Sequence, residues 1–365
     1  MKRNSLLILL LLIFPIGVIA QYTYKYKSLD TTNPIIFKGK YIVFKGDTIW
    51  LGKNAFFIDG QLSDIETRKY PYVFNSVNEA VKQLSDGSES SPMTLYIAPF
   101  VYWIDNPEDT VIRESIGNEP PYGLVIRCKW LRFYGLSDKA ENVVLACNRG
   151  QTIGAKGNFT MFRINGDGTS SENITFGNYC NVDLEFPLKP ELSRKKRASA
   201  IVQAQLILCN GDKIVARNSR FISRLNLCPF VGGQRTLFDR CHFECTDDAL
   251  CGTGVYLNST FDFFSSKPFY NTTGTGAVFL NCDIRSFTRG EQFLTKAAGQ
   301  LAFVDSRFSG NEITDIGWQD ITGKQTRNYQ SNVLLNSRKI LIGLKDRCST
   351  IDMEDRAVLH AYRLN

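Results

Sequence analysis

The segments VARNSRF (215–221), LFDRCHF (237–243), VYLNSTF (255–261), VFLNCDI (278–284) and AFVDSRF (302–308) repeat one pattern. Each opens on an apolar residue, carries Asn, Asp or Arg at its fourth place and Ser or Cys at its fifth, and closes on Phe or Ile. The closing residues Phe221, Phe243, Phe261, Ile284 and Phe308 follow one another at intervals of 22, 18, 23 and 24 residues. A period near twenty with one short strand per unit is the signature of a solenoid. The intervals are too long for tight hairpins and hold too little helical periodicity for βαβ units. A sandwich or jelly roll needs antiparallel turns at regular places, and the chain does not show them. The pattern predicts an all-β chain wound as a single-stranded parallel β-helix, with Phe and Cys at equivalent places stacked inside. Residues 131–136, 143–147 and 174–176 read as earlier strands of the same kind.

Outward from this repeat, one helix stands out. Val77, Ala80, Val81 and Leu84 fall at helical spacing, and Ser76 with Glu79 reads as a capping box. A helix over 76–84 would cap the open N-terminal end of the solenoid and cover its edge strand. The β-helix is expected over 71–340, preceded by a leading segment over 21–70 in which 35–43 alternate like strands. It is followed by a strand-like extension over 341–365 that stops abruptly. Residues 1–20 read as a signal peptide: Lys2 and Arg3, an apolar run over 6–19, and small residues up to Ala20. An uncleaved anchor is the competing reading, but the run is short for a membrane span. Export excludes nucleic acid as a partner and leaves no membrane contact beyond the leader. Net charge is +7, or +5 without Lys2 and Arg3, a modest excess compatible with a polyanion. The run 194–197 reads as a solvated basic loop. The ten Cys sit mostly in apolar runs and read as small core residues, with room for one or two bridges. Cys241, Cys245, Cys251 and His242 match no common zinc spacing, so neither a metal nor a cofactor is expected.

The densest polar cluster is ECTDDALCG (244–252). Only two His exist, His242 and His360. His242 precedes the core residue Phe243, so it points outward and leaves a Ser-His-Asp triad unsupported. Hydrolytic chemistry would fall to carboxylates. Asp247 and Asp248 are adjacent, and regular strand geometry sends adjacent side chains to opposite faces. Either one of them faces a cleft or both belong to a coil-edge turn.

The stretch 244–252 resembles the Glu-Gly-Thr-Val-Asp-Phe-Ile-Phe-Gly segment of pectin methylesterases. Further resemblances follow in chain order. The helix 76–84 is similar to the family's opening Ala-Val helix, and PFVY (99–102) to its Gly-Xaa-Tyr-Xaa-Glu strand, with Ile104 in place of the Glu. NITF (173–176) resembles Asn-Leu-Thr-Phe, and QAQL (203–206) resembles the start of Gln-Ala-Val-Ala-Leu. FLTK (293–296) falls where the family has Tyr-Leu-Gly-Arg, and Gly317-Trp318 falls on a late Gly-Trp. The likeness runs from about Val73 to Trp318. It implies a right-handed parallel β-helix of the pectin lyase type, in agreement with the repeat.

The resemblance also implies roles. Asp248 would be the nucleophile on a methyl ester, and Gln203 would donate to the oxyanion. Lys296 stands where an Arg holds nucleophile and substrate, and Trp318 would line the sugar cleft. Tyr270 and Lys267 lie beside the cleft by position alone. Two departures matter. Asn226 stands where the family has its general acid/base Asp, and an amide cannot exchange that proton. Leu225 replaces a second polar donor. Asp247 is the substitute proton carrier if the chain bends there. Three readings follow: an exported, monomeric pectinesterase acting on an acidic, pectin-like polysaccharide; a non-catalytic binder of such a chain; and a uronic-acid lyase with Lys296 as base and calcium on Asp247 and Asp248.

Overall fold

The computed structural model describes residues 26–115, 117–245, 247–248, 250–297, 299–319, 328–343 and 350–362. The expected leader, residues 1–20, lies outside the described residues. The chain winds as a right-handed parallel β-helix. One flank is a twelve-stranded sheet running from Val73–Phe74 and Ala55–Ile58 to Thr350–Asp352. A second is a ten-stranded sheet running from Phe100–Trp103 to Arg338–Lys339. The third face is broken. Strands Tyr122–Ile126, Phe159–Ile164 and Ala204–Cys209 pair at one end, and Gly290–Thr295 with Ile313–Gln319 at the other.

The seven-residue repeat is a corner rather than a single strand. Strand Ile214–Arg217 ends at Asn218, and strand Arg220–Ile222 leaves on the next flank. The fourth place is left-handed throughout: Asn218 has φ 41°, Arg240 53°, Asn258 50°, Asn281 51° and Asp305 48°. Asn and Asp tolerate that region better than other non-glycine residues, which explains their recurrence. The corner amides also bridge coils, Asn281 Nδ2 donating to Asn258 Oδ1 at 2.8 Å and Asn218 Nδ2 to Asn173 Oδ1 at 2.7 Å. The fifth place turns inward: Ser219, Cys241, Ser259, Cys282 and Ser306 are all buried. Each serine hydroxyl donates to the carbonyl two residues back, as Ser259 does to Leu257 at 2.9 Å. Small size and a short polar reach are what this position selects.

The closing aromatics form the core. Phe176, Phe221, Phe243 and Phe261 stack with centroids 5.5, 5.1 and 4.7 Å apart. A second column, Phe238, Tyr256, Phe279 and Phe303, stacks at 4.9, 4.8 and 4.3 Å. The spacing is that of neighbouring strands in a sheet, so one aromatic per coil builds a continuous column. Eight Cys, among them Cys128, Cys209, Cys241 and Cys282, are free and buried, as core residues would be.

Three expectations shift at the ends. The helix is shorter, Val77–Val81, with Val77 and Ala80 buried against the first coil. Ser76 Oγ accepts from Asn78 N, while Glu79 pairs with Lys82 instead of closing a capping box. The reciprocal box sits one helix earlier, on Ser63 and Glu66. Parallel stacking starts at Ala55–Ile58, ahead of residue 71, behind a small antiparallel sheet of Ile36–Phe37, Tyr41–Phe44 and Asp47–Trp50. At the C-terminus the strand-like reading fails. Thr350–Asp352 is a strand, but Arg356–Tyr362 is a helix whose first turn Asp355 caps by accepting from Ala357 N at 2.8 Å.

Candidate active site

Strand His242–Cys245 leads off the ten-stranded sheet into the corner that holds Asp247 and Asp248. Asp248 has φ 58°, a left-handed conformation that breaks strand alternation. The two adjacent carboxylates therefore reach the same cation. Lys296 Nζ lies 3.0 Å from Asp248 Oδ2 and 3.9 Å from Asp247 Oδ2. The backbone fixes the corner: Asp248 N donates to Lys267 O at 3.0 Å, and Leu250 N to Pro268 O at 2.9 Å. Lys296 follows strand Gly290–Thr295, and its own N donates to Phe269 O at 2.9 Å. Lys267, Tyr270 and Lys296 are thus gathered around Asp248 by consecutive coils. Tyr270 is exposed, and the Lys296 ammonium stands 5.9 Å from its ring centroid.

The electrostatics follow from this packing. The hydrogen bond from Lys296 to Asp248, then the charges of Asp248 and Asp247, raise the lysine pKa above its ordinary value. Asp247 Oδ1 also accepts from Ser265 Oγ at 3.4 Å. Asp248 Oδ1 is shut from solvent and accepts no hydrogen bond. Behind it lies Cys228, whose thiol is pushed up to about 12 by burial, then by Cys251 and by the Asp248 carboxylate. Nothing in the sequence marks Cys228 as a neighbour of Asp248, because a small buried residue gives no signal of proximity to a site.

Gln203 and Asn226 lie on successive coils of the third face. Ala204 N donates to Leu225 O at 3.1 Å, which sets Asn226 beside Ala204. Gln203 O accepts from Gln151 N at 2.8 Å. Asn226 is held at φ 52°. Among the described residues, no hydrogen bond or ion pair links either side chain to Asp248. Trp318 is a correction. It is 4% exposed, shares the inward face of Ile313–Gln319 with Ile316, and packs against Phe303. Its indole N–H donates to Thr350 Oγ1 at 2.7 Å. Strand parity turns the outward place over to Gly317, so Trp318 belongs to the core and presents no face to a sugar.

His242 points outward, in register with Arg220 and Thr260, and its Nδ1 lies 2.8 Å from Thr260 Oγ1. Burial, then the charge of Arg220, lowers its pKa from 6.5 to about 4. The unfolded chain therefore takes up a proton that the folded chain refuses, and stability falls as pH drops from 6.5 towards 4. With allowance for the part of the ring that solvent reaches, His242→Gln is expected to recover about 1–2 kcal/mol at the acid end. Denaturant midpoints of the two proteins at pH 7 and pH 4.5 would check this: the gap should open only at the lower pH.

No family model and no curated sequence relative matches the chain. Solved structures do. A pectin methylesterase in complex with a hexasaccharide superposes with a TM-score of 0.54 at 15% identity, covering 84% of this chain and 94% of its own. A second hexasaccharide complex gives 0.51 at 15% identity, covering 84% and 94%. The pectin methylesterase from Aspergillus niger gives 0.53 at 13% identity, covering 82% and 94%. At such identities the likeness establishes the fold: the chain has a pectinesterase-like fold. Among the described residues, no helix is long and apolar enough to cross a membrane.

Proposed function

We propose that this protein is an exported ester hydrolase that removes methyl groups from a pectic, galacturonan-type polysaccharide, with Asp248 as nucleophile. The observation that carries this reading is the state of Asp248. It is a carboxylate at a left-handed corner, with one oxygen on Lys296 and the other without a donor. Non-glycine residues held in such conformations cluster at functional sites. In the proposed reaction an Asp248 oxygen attacks the ester carbonyl carbon, and the carbonyl π electrons move onto oxygen. Gln203 supplies an amide N–H to that oxyanion. Collapse re-forms the carbonyl and breaks the bond to methoxide, which leaves as methanol with a proton from Asp247. Water then cleaves the acyl–Asp248 anhydride: one of its protons returns to Asp247, the other passes to solvent, and a free uronate and the Asp248 carboxylate are released. Lys296 positions Asp248. Tyr270 and Lys267 flank the chain being bound.

A second reading, a non-catalytic binder of the same polysaccharide, is favoured by Asn226, which cannot exchange a proton. The lyase reading loses ground because Lys296 is held charged between two carboxylates, the wrong state for a base. Incubation with highly methylated polygalacturonate separates the first two. Methanol accumulating in proportion to protein and time is the expected result. Retention on polygalacturonate with no methanol would transfer the assignment to the binder.

A further inference from the structure

Near the acidic corner, one polar side chain is buried where the fold calls for an apolar one. Gln292 lies on strand Gly290–Thr295 and is 0% exposed. It shares the inward face with Leu294, and the residue paired with it in the next coil is the buried Ile316. An amide in such a place costs free energy unless its hydrogen bonds are made. Gln292 makes them all. Its Nε2 donates to Phe293 O at 2.8 Å and to Ser265 O at 3.3 Å. Its Oε1 accepts from Ser286 Oγ at 2.7 Å and from Thr288 Oγ1 at 3.0 Å. Two N–H donors and two lone pairs are the whole capacity of this amide. A methionine would fill similar space with no polar atoms to satisfy, so core packing alone does not ask for glutamine here.

These bonds join two coils at one edge. Ser286 and Thr288 belong to the corner that leads from strand Asp283–Ser286 into the strand of Gln292. Thr288 N donates back to Ser286 Oγ at 3.3 Å, so that corner is closed on itself. Ser265 belongs to the preceding coil, in the turn after strand Thr260–Phe263. That turn touches both aspartates of the candidate site. Ser265 Oγ donates to Asp247 Oδ1 at 3.4 Å and accepts from Lys267 N at 3.3 Å. Lys267 O in turn accepts from Asp248 N at 3.0 Å. Just past the end of the strand of Gln292, Lys296 Nζ lies 3.0 Å from Asp248 Oδ2. One stretch of chain therefore carries both the cation that engages the carboxylates and the amide that holds their turn.

We propose that Gln292 is a positioning residue of the candidate active site: through Ser265 it fixes the turn 264–267, and so sets Asp247 and Asp248 against the substrate. None of its four bonds goes to a carboxylate, so it acts through Ser265 and not on the reaction itself. A fully satisfied buried network holds its members to one arrangement. Placement matters to this chemistry, because a misplacement of about 1 Å costs on the order of 10²-fold in rate. The inference rests on the reading of this corner as the site of an ester hydrolase, and it deepens that reading.

Two readouts on the full-length protein test this, and one of them does not need activity. Gln292→Met strands Ser265 O, Ser286 and Thr288 without their partner and should lower the melting temperature. Adding Ser286→Ala and Thr288→Val replaces the stranded hydroxyls by apolar groups of like shape and should restore most of it. In that triple variant kcat for methanol release should still be lower by about tenfold to a hundredfold, with KM unchanged. The Asp248 amide hydrogen, bonded to Lys267 O, should exchange at least about tenfold faster than in wild type. The Asn258 amide, bonded to Leu280 O at 2.9 Å, should exchange as before. A folded triple variant with wild-type kcat, or with wild-type exchange at Asp248, would reduce Gln292 to core filling and overturn the proposal. If the triple variant folds poorly, Ser265→Ala decides, since Ser265 is half-buried and the change spares the core. It should lower kcat by about threefold to tenfold, and a wild-type kcat there overturns the proposal as well. Should wild type release no methanol, the esterase reading falls by itself, and the exchange of the Asp248 amide in these variants decides whether Gln292 holds the turn.

Discussion

Replacing Asp248 by asparagine is expected to lower methanol release by roughly 10³-fold or more, while the fold survives. The size of the loss follows from the role. An amide oxygen is a poor nucleophile, and what remains is whatever binding and oxyanion stabilisation supply. Retention of the fold follows from the backbone. Asp248 sits at φ 58°, and asparagine is the residue that best shares that region with aspartate at equal volume. The substitution removes a charge from Lys296, but that pair is partly exposed and screened, so its loss moves stability little. The check is methanol release beside a thermal melt. A variant that keeps more than about a tenth of the wild-type rate at an unchanged melting temperature would take the nucleophile role away from Asp248.

The fold was legible in the sequence because coils impose one rule on every repeat. A left-handed corner, a small inward residue and an inward aromatic recur wherever the chain rounds the same edge. Asn218, Ser219 and Phe221 are therefore spelled again as Asn258, Ser259 and Phe261. The same logic explains the misreadings. The corner looked like a single strand because a lone left-handed residue does not interrupt apolar periodicity. Trp318 looked like a cleft residue because a neighbouring Gly-Trp carries no sign of which of the two points inward, and only the parity set by buried Ile316 decides it. The terminal helix Arg356–Tyr362 looked like a strand because its apolar residues are few and its start depends on a side-chain cap at Asp355.

The site was less legible than the fold, for a physical reason. It lies on the broken third face, where no ladder repeats a residue from coil to coil. The meeting of Asp247 with Asp248 depends on one left-handed residue that a strand rule predicts against. The meeting with Lys296 depends on backbone bonds running from Asp248 through Lys267 and Phe269. The cavity under the excursion 179–197 depends on a fastening, Tyr179 across Gly177, that shows in the sequence only as two ordinary residues. The resemblance implied that Lys296 meets Asp248, and the two are 3.0 Å apart; the approach of Asp247 to the same cation needed a bend that strand alternation does not give.

Replacing Asn226 by aspartate is expected to raise the rate of methanol release by roughly 10² to 10⁴-fold, the usual worth of a placed general acid. The wild-type corner has two carboxylates and one ammonium, and in the proposed mechanism the proton for departing methoxide comes from Asp247, which Lys296 and Ser265 already engage. A carboxyl group at position 226 would enter from the preceding coil. It fits the existing backbone, because Asn226 already holds φ 52°, a conformation aspartate accepts. It would also join two carboxylates that share a single cation, and like charges at short range hold one member protonated at higher pH. That is the state a general acid needs. The measurement is kcat for methanol release across pH, in which the gain should bring a new descending limb on the alkaline side. An unchanged rate would mean that position 226 does not face the leaving oxygen. Asp247→Asn should then carry the whole loss of proton transfer, by a similar factor, in the otherwise wild-type protein.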